Sequence, residues 1–287
     1  MQLVWLITGT SSGFGRDLTL EALKRGDKVI ATARARSLSK LSDLKKAGAD
    51  VLELDVTDPL DKLHEVAKKA VKIHGRVDVV VNNAGFIQNG FLEEVTPEET
   101  FSQFNTNVFG ALNVSRAFLP YMRKRRTGTV VFLGSISGWI VGPNAGLYQG
   151  SKHAVRGLSE SLRVEIEPLG LRSICIEPGY FRTKFLQPGN RTATEGRGFD
   201  DYKEQRLASM AVADAMNGHQ IGDPQRAVEV MIDIVKSEGQ AAGRKPPPFV
   251  GLGSDAYTMI RDACNGALQT LEDWKDVITS TDLKEGK

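Results

Sequence analysis

Two side chains in the middle of the sequence have the types and the spacing needed for proton transfer. Tyr148 and Lys152 stand four residues apart, so both project from one face if the segment is a helix. Free tyrosine has a pKa of ~10, which suits proton transfer near neutral pH poorly, and a nearby ammonium would lower that pKa. The pair alone also fits an ordinary helix face, because Tyr and Lys occur at this spacing often by chance.

Two further polar residues turn this pair into a candidate catalytic set. Ser135 follows a predicted strand at 129–133, on the edge where parallel sheets bind ligands. Asn107 lies in the helical segment before that strand. The full set of Asn107, Ser135, Tyr148 and Lys152 indicates chemistry where the pair does not.

A glycine-rich turn follows the first apolar segment and leads directly into a predicted helix. It spans 8–15 and has glycines at 9, 13 and 15. Such a turn lets backbone amides approach a pyrophosphate, and the helix dipole favours the anion. A tight turn without a ligand is the alternative, but the position of this turn after the first strand of a βαβ unit favours dinucleotide binding.

The residues at the end of the second predicted strand indicate whether a bound dinucleotide would be NAD or NADP. An NAD enzyme commonly has Asp or Glu there to hold the ribose 2′-hydroxyl. Here the strand ends in Ala33-Arg34, and the Arg34 guanidinium suits a 2′-phosphate. The alternative is that Arg34 is a solvated surface charge.

The order of the predicted elements indicates how these residues are positioned. Short, almost continuously apolar runs predict strands covered on both faces, at 4–8, 28–32, 51–55, 77–81, 129–133 and 172–177. Helical periodicity predicts helices between them, at 14–25, 38–47, 60–74, 101–124 and 148–168. This alternation predicts an α/β protein with a doubly wound parallel sheet. Glycines at 26, 48, 75 and 170 fall where helices should end.

The pattern loosens after residue 183. We predict a loop at 187–199, helices at 201–216, 223–236 and 256–274, and a seventh strand at 249–252. The loosened segment is too short to form an independent domain. We therefore expect one domain over 1–287, with a substrate flap at about 185–222.

Composition excludes several classes of protein. The 287 residues are 41% hydrophobic and 25% charged, as in ordinary globular proteins, and the formal net charge of +2 is unlike that of a nucleic-acid binder. The four histidines have no metal-ligand spacing, so no metal site is expected. Cys175 and Cys264 are expected to be core residues in a reducing compartment. No apolar run approaches the ~18 residues of a membrane span, and we expect a cytoplasmic protein.

Several motifs in one order resemble the short-chain dehydrogenase/reductase family. They are TGxxxGxG at 8–15, Asp55-Val56, Asn82-Asn83-Ala84-Gly85, Asn107, Ser135, YxxxK at 148–152 and Pro178-Gly179-Tyr180-Phe181-Arg182-Thr183. These motifs span residues 3–183, and the closing strand and helix of the family fit 224–275. The resemblance implies a Rossmann-type sheet of about seven strands. Residues 253–257 and the long flap are similar to the hydroxysteroid and retinol dehydrogenase branch.

The resemblance also implies roles for the residues at matching positions. Tyr148 would be the general acid/base. Lys152 would hold the ribose hydroxyls and, with a positive nicotinamide ring, lower the tyrosine pKa. Ser135 would orient the carbonyl, and Asn107 would support a water that links Lys152 to bulk solvent. The cofactor would contact Gly9, Ser11, Ser12, Gly13, Phe14, Gly15, Arg34, Asp55, Val56, Asn83, Ala84, Gly85, Tyr148, Lys152, Phe181 and Thr183.

The expected activity is NADP(H)-dependent interconversion of a ketone or aldehyde and an alcohol. Ser12 stands where many NADP enzymes of the family have a basic residue, which leaves Arg34 as the main partner of a 2′-phosphate. The alternative is a redox sensor that binds the dinucleotide without catalysis, although a sensor needs none of Ser135, Tyr148 and Lys152. Apolar residues should form a pocket for a hydrophobic substrate: Trp139, Ile140, Val141, Tyr180, Phe181, Phe185 and Leu186.

The family is commonly oligomeric, so we also expect a homodimer or homotetramer. The helices predicted at 101–124 and 148–168 are the expected interface. Candidate contacts between subunits are Leu112, Phe118, Leu158 and Leu162, and the favoured alternative for any one of them is packing in the core.

Overall fold

The structure is a computed structural model that describes residues 1–187 and 190–283. Its strands are β1 Val4–Ile7, β2 Lys28–Ala33, β3 Asp50–Glu53, β4 Val79–Asn82, β5 Ile87–Gln88, β6 Thr129–Leu133, β7 Arg172–Pro178, β8 Arg191–Thr192 and β9 Phe249–Leu252. Seven of them form a parallel sheet in the order β3-β2-β1-β4-β6-β7-β9. The chain therefore has the predicted Rossmann-type sheet. A second, two-stranded sheet pairs β5 with β8.

Helices cover both faces of the large sheet. They are α1 Gly13–Lys24, α2 Ser42–Lys46, α3 Leu60–His74, α4 Pro97–Phe104, α5 Ala111–Arg125, α6 Gly146–Ile166, α7 Lys203–Met216, α8 Pro224–Lys236, α9 Ser254–Asp273 and α10 Lys275–Thr279. Alternate residues of each strand face opposite sides. In β1, Leu6 packs in the core beneath α3, α5 and α6, whereas Trp5 and Ile7 pack in the core beneath α1 and α8.

Two predicted helices differ from the observed elements. The segment predicted as one helix at 38–47 is a 3₁₀ turn at Ala35–Leu41 followed by the short α2. Its closely spaced serines are poor helix residues, which accounts for the tighter turn. The helix predicted at 101–124 begins earlier, at Pro97, because Thr96 and Glu99 form a capping box. It is then interrupted by a π-helical segment at Asn105–Gly110.

The predicted glycine stops are confirmed. Gly26, Gly48, Gly75 and Gly170 all have positive φ, between +73° and +104°. A residue with a Cβ would be strained in this conformation, and the missing Cβ lets each helix end sharply before the next strand. The helices thus end where the strands that carry the site residues must begin.

The segment predicted as a flap contains β8, a 3₁₀ turn at Asp200–Tyr202 and α7. Residues 188–189 of this segment lie outside the described residues. In the described part of the chain, no helix is both long and apolar enough to cross a membrane. The same residues contain no group of three His, Cys, Asp or Glu side chains that could hold a metal ion.

One prediction about an individual residue was wrong. Cys264 is exposed on α9 and is not a core residue, whereas Cys175 is buried in β7 as expected. Of the two uses open to Phe118 and Leu162, subunit contact or core packing, the structure shows core packing. The inner faces of α5 and α6 use these side chains to cover the sheet.

Candidate active site

The candidate site lies at the carboxyl edge of the sheet, where β1 has β2 on one side and β4 on the other. The connections from β1 and β4 leave in opposite directions, which opens a crevice above the strand ends. The glycine-rich turn follows β1, Asn83 to Gly85 follow β4, and Ser135 follows β6. The fold therefore brings together motifs that are separated by more than a hundred residues in the sequence.

The glycine-rich turn is packed closely against the segment after β4. A Cβ on Gly9 would lie 2.9 Å from the Cα of Ala84, and a Cβ on Gly15 would lie 2.7 Å from the Gly9 carbonyl and collide with the Asn83 amide. Gly9 and Gly13 also have φ of +70° and +57°. These positions require glycine, and they leave the backbone of the turn open to a ligand. The turn thus fits the pyrophosphate of a dinucleotide at the start of α1.

Asn83 holds this turn in place. Its side-chain amide donates hydrogen bonds to the carbonyls of Thr8 (2.8 Å) and Gly9 (3.1 Å), and the Thr8 hydroxyl accepts from the backbone N–H of Asn83 and Ala84. The Asn83 side chain is therefore occupied by the protein. Its contribution to ligand binding is a fixed backbone at 83–85.

The other end of the crevice carries the residues predicted to hold an adenosine. Arg34 is exposed just after β2 and makes no ion pair with any described residue. Asp55 accepts two hydrogen bonds from Thr57, from its backbone N–H (3.0 Å) and its hydroxyl (2.7 Å), which fixes the loop after β3. Val56 is buried beside Gly110. A guanidinium with free donors at this position fits a phosphate better than a ribose hydroxyl.

Tyr148 and Lys152 lie in the first two turns of α6 and are both buried. Burial raises the pKa of Tyr148 to about 12, an effect that a hydrogen bond with the Ser135 side chain opposes in part. The Ser135 hydroxyl also accepts from the backbone N–H of Ser137 at 3.1 Å. The structure therefore brings Ser135 and Tyr148 together, as predicted.

Lys152 lies close to Tyr148 but is held by the backbone of a neighbouring strand. Its Nζ lies 5.6 Å from the centroid of the Tyr148 ring and donates a 2.5 Å hydrogen bond to the Leu133 carbonyl. Burial lowers the pKa of Lys152 to about 8. Desolvation is the largest cause of both pKa shifts, because burial disfavours the charged form of each side chain.

Asn107 lies within the π-helical segment that divides α4 from α5. Its Oδ1 accepts from the Phe86 N–H (3.1 Å), and its Nδ2 donates to the Phe86 carbonyl (3.1 Å) and to the Ser151 hydroxyl (3.3 Å). Ser151 precedes Lys152, so Asn107 connects the loop after β4 to α6. The sequence motif located this residue, but no local pattern predicted the π-helical turn, which is often found at functional sites.

Phe181 and Thr183, which follow β7, lie close to the glycine-rich turn. The Phe181 ring packs edge-on against Phe14 with 5.3 Å between centroids, and the Cβ of Thr183 lies 3.9 Å from the Cβ position of Gly13. Thr183 also caps the short turn at Lys184–Leu186 by accepting from Phe185 N–H at 3.2 Å. Both residues therefore border the crevice as expected.

One predicted pocket residue points elsewhere. Trp139 donates from its indole N–H to Glu177 at 2.6 Å, and it packs against Arg156 and Phe249, behind the turn that carries Ser135. Phe185, by contrast, lies beside the reactive tyrosine, with 5.9 Å between the centroids of the Tyr148 and Phe185 rings. The apolar wall next to the site is thus formed from the segment after β7.

The chain belongs to the short-chain dehydrogenase family. Residues 3–194 match the family described as short chain dehydrogenase. A 3-ketodihydrosphingosine reductase from Bacteroides thetaiotaomicron is 35% identical over 246 residues, which cover 85% of each chain. Family membership makes this protein an oxidoreductase of the kind that acts on CH–OH groups and binds a nicotinamide dinucleotide.

Solved structures agree with this assignment. A short-chain dehydrogenase from Streptomyces avermitilis is 35% identical and superimposes with a TM-score of 0.87 over 98% of both chains. The structure of ElxO with NADP bound is 26% identical, with a TM-score of 0.70 over 90% of this chain and all of the other. A Burkholderia phymatum family member in complex with NAD is 22% identical (TM-score 0.76, 91% and 92% coverage) and supports the fold alone.

Proposed function

We propose that this protein is an NADP(H)-dependent reductase that interconverts a hydrophobic ketone or aldehyde and the corresponding alcohol. The observation that carries the proposal is the convergence of Ser135, Tyr148 and Lys152 beside a glycine-rich turn, with the exposed Arg34 at the far end of the same crevice. Fold and family supply the reaction class. The direction, the cofactor and the substrate class are argued from these side chains.

In the proposed reaction, Tyr148 gives its proton to the carbonyl oxygen of the substrate. A phenol whose pKa is about 12 is protonated at neutral pH, so Tyr148 can act as the proton donor that reduction of a carbonyl requires. Ser135 donates a hydrogen bond to the same oxygen and orients it. The glycine-rich turn, Arg34 and Lys152 would hold a reduced nicotinamide dinucleotide, which would supply the hydride that the reduction requires.

Lys152 has two roles in this proposal. Its buried ammonium, already held near the tyrosine by the Leu133 carbonyl, binds the ribose hydroxyls of the cofactor and stabilises negative charge that develops on the phenol. Asn107 keeps the start of α6 in position through Ser151. Lys152 and Asn107 thus support proton transfer from the Tyr148 oxygen.

The apolar side chains beside the tyrosine support a substrate with a bulky hydrocarbon part. Phe185 lies next to Tyr148, and Leu186 and Ile140 are half-buried near the same edge of the sheet. The reductase from Bacteroides thetaiotaomicron is named for a ketone, 3-ketodihydrosphingosine. We extend this preference to a ketone on an alkyl chain, covered by the flap at about 185–222 within the single domain.

The test is reduction of a series of alkyl ketones of increasing chain length by the purified protein with NADPH, followed by loss of absorbance of the reduced cofactor. Each buried CH₂ is worth ~0.8 kcal/mol, so kcat/KM should rise by up to about fourfold per methylene until the pocket is filled. Tyr148→Phe serves as the inactive control. Binding of NADPH without turnover of any carbonyl compound would instead support the redox-sensor alternative.

We also propose that two or more copies associate through the outer faces of α4 to α6. Phe101, Phe109 and Val164 are 62%, 45% and 67% exposed there, and contact with a second copy would remove this apolar surface from water. Light scattering at working concentration should give a mass at least twice that of the chain. A Val164→Asp variant that leaves the mass unchanged, or a monomeric wild type, would contradict this interface.

A further inference from the structure

A buried carboxylate lies behind the turn that carries Ser135. Glu177, at the end of β7, is fully buried, and its Oε2 accepts the 2.6 Å hydrogen bond from the Trp139 indole. Buried carboxylates are costly unless they are paired, and no ion pair within 4 Å compensates this one among the described residues. Packing alone does not explain the Glu177 carboxylate, because an apolar side chain would fill the same space without this desolvation cost.

The indole that Glu177 holds is part of the Ser135 turn. Trp139 ends the 3₁₀ turn at Ile136–Gly138, in which Gly138 N–H donates to the Ser135 carbonyl at 2.9 Å and Trp139 N–H donates to the Ile136 carbonyl at 2.9 Å. Fixing the indole therefore fixes the backbone on which the Ser135 hydroxyl is carried. Four consecutive peptide units connect Trp139, which binds the carboxylate, to Ser135.

The same carboxylate also supports the catalytic helix. A Cβ on Gly138 would lie 3.1 Å from the Lys152 carbonyl and 3.5 Å from the Glu177 Oε1, so turn, helix and carboxylate are packed without space between them. Arg156, one turn after Lys152, places its guanidinium 3.8 Å from the centroid of the Trp139 ring. The indole is thus held by a hydrogen bond at its edge and a cation on its face.

The charged and titratable groups around Glu177 come from several elements. Arg156 and Glu160 approach it from α6. Cys175 lies on β7 with Glu177, and its thiol is 3.9 Å from the Glu177 Oε1. The negative charge of Glu177 also raises the pKa of Lys152, in opposition to burial. Burial raises the pKa of Glu177 to about 7, and Arg156 opposes that rise.

We propose that Glu177 is a positioning residue for the reduction, acting through Trp139 to hold the Ser135 turn against the helix that carries Tyr148 and Lys152. This inference rests on the proposed function. Neither Glu177 nor Trp139 contacts the reacting atoms, so their loss should lower kcat and leave dinucleotide binding intact.

Three substitutions separate the hydrogen bond from the charge. Trp139→Phe keeps a ring against Arg156 and removes only the indole donor, Glu177→Leu removes the acceptor, and Glu177→Gln keeps an acceptor without charge. Loss of a hydrogen bond to a charged group should lower kcat by about tenfold in the first two variants, with the NADPH dissociation constant within about twofold of wild type. Glu177→Gln should recover most of the activity at neutral pH.

Two comparisons make the result decisive. The double variant Trp139→Phe/Glu177→Leu should be no slower than either single variant, because one contact is lost in all three. Glu160→Gln, which removes a neighbouring charge outside this hydrogen bond, should keep wild-type kcat. Unchanged kcat in a folded Trp139→Phe protein, or additive losses in the double variant, would overturn the proposal.

A measurement without turnover distinguishes this inference from the proposed function. Amide hydrogen exchange of residues 136–140 should be faster in Trp139→Phe than in wild type or Glu160→Gln. If the wild type reduces no carbonyl compound, the proposed function fails while the exchange result still reports whether Glu177 holds the turn. Equal exchange in all three proteins would show that it does not.

Discussion

The Nζ of Lys152 donates a 2.5 Å hydrogen bond to the carbonyl of Leu133, the last residue of β6. This contact joins the catalytic helix to the strand that leads into Ser135. It also keeps a buried ammonium 5.6 Å from the centre of the Tyr148 ring without a direct bond to the phenol oxygen. The position of Lys152 is therefore set by the backbone and does not depend on the tyrosine hydroxyl.

Removal of that hydroxyl should isolate the proton-transfer step. We expect Tyr148→Phe to lower kcat by ~10²–10⁴-fold, the usual contribution of general acid–base catalysis, because the phenol is the only proton donor proposed. NADPH affinity, measured by fluorescence titration, should stay close to that of wild type since Lys152 keeps its anchor. Near-native turnover in this variant would show that another group donates the proton.

Cofactor preference should depend on Arg34. A charge-assisted hydrogen bond is worth ~1.5–3 kcal/mol, so wild type should favour NADPH over NADH by about ten- to a hundredfold in kcat/KM. Arg34→Ala combined with Ala33→Asp should reverse the preference, because the new carboxylate repels a 2′-phosphate and accepts from a ribose hydroxyl. Equal efficiency with both cofactors in wild type would identify Arg34 as a surface charge only.

The free energy of unfolding should depend on pH through the titration of Glu177. Its pKa rises from 4.5 to about 7 on folding, so its contribution to stability is fully present below pH 4.5 and is lost as the pH rises through 7. Glu177→Gln removes this titration. The free energy of unfolding of the variant relative to wild type should therefore increase between pH 5 and pH 8, by up to ~3 kcal/mol. Parallel pH profiles from denaturant titrations would contradict the shift.

The flap should depend on an ion pair between Arg206 and Glu94. Glu94 is buried, accepts from Phe199 N–H at 2.8 Å and pairs with Arg206, which ties α7 to the loop after β5. Arg206→Ala leaves that carboxylate unpaired, at a cost of ~1–3 kcal/mol. We expect a higher KM for the carbonyl substrate and faster chymotrypsin cleavage in 190–216, with Lys203→Ala as the exposed control. Wild-type KM and cleavage rates would show that the flap is held by other contacts.

The sheet was predictable because its signal is local. Buried parallel strands require unbroken apolar runs, and the strand Thr129–Leu133 was placed to the residue. Helix ends were predictable where glycine marks them, as at Gly75. The π-helical turn at Asn107 was not predicted, because it depends on hydrogen bonds to Phe86 and Ser151, which are distant in the sequence.

The order of strands and helices along the chain, and the set of candidate site residues, could be predicted without the structure. Glycine at positions 9, 13 and 15 and the spacing of Tyr148 and Lys152 are properties of the chain, since they follow from backbone sterics and helical periodicity. The tertiary structure decided the direction of side chains and the charge states. Trp139 faces Glu177 rather than the substrate, and burial raises the tyrosine pKa, because both depend on which distant segments exclude water from these groups.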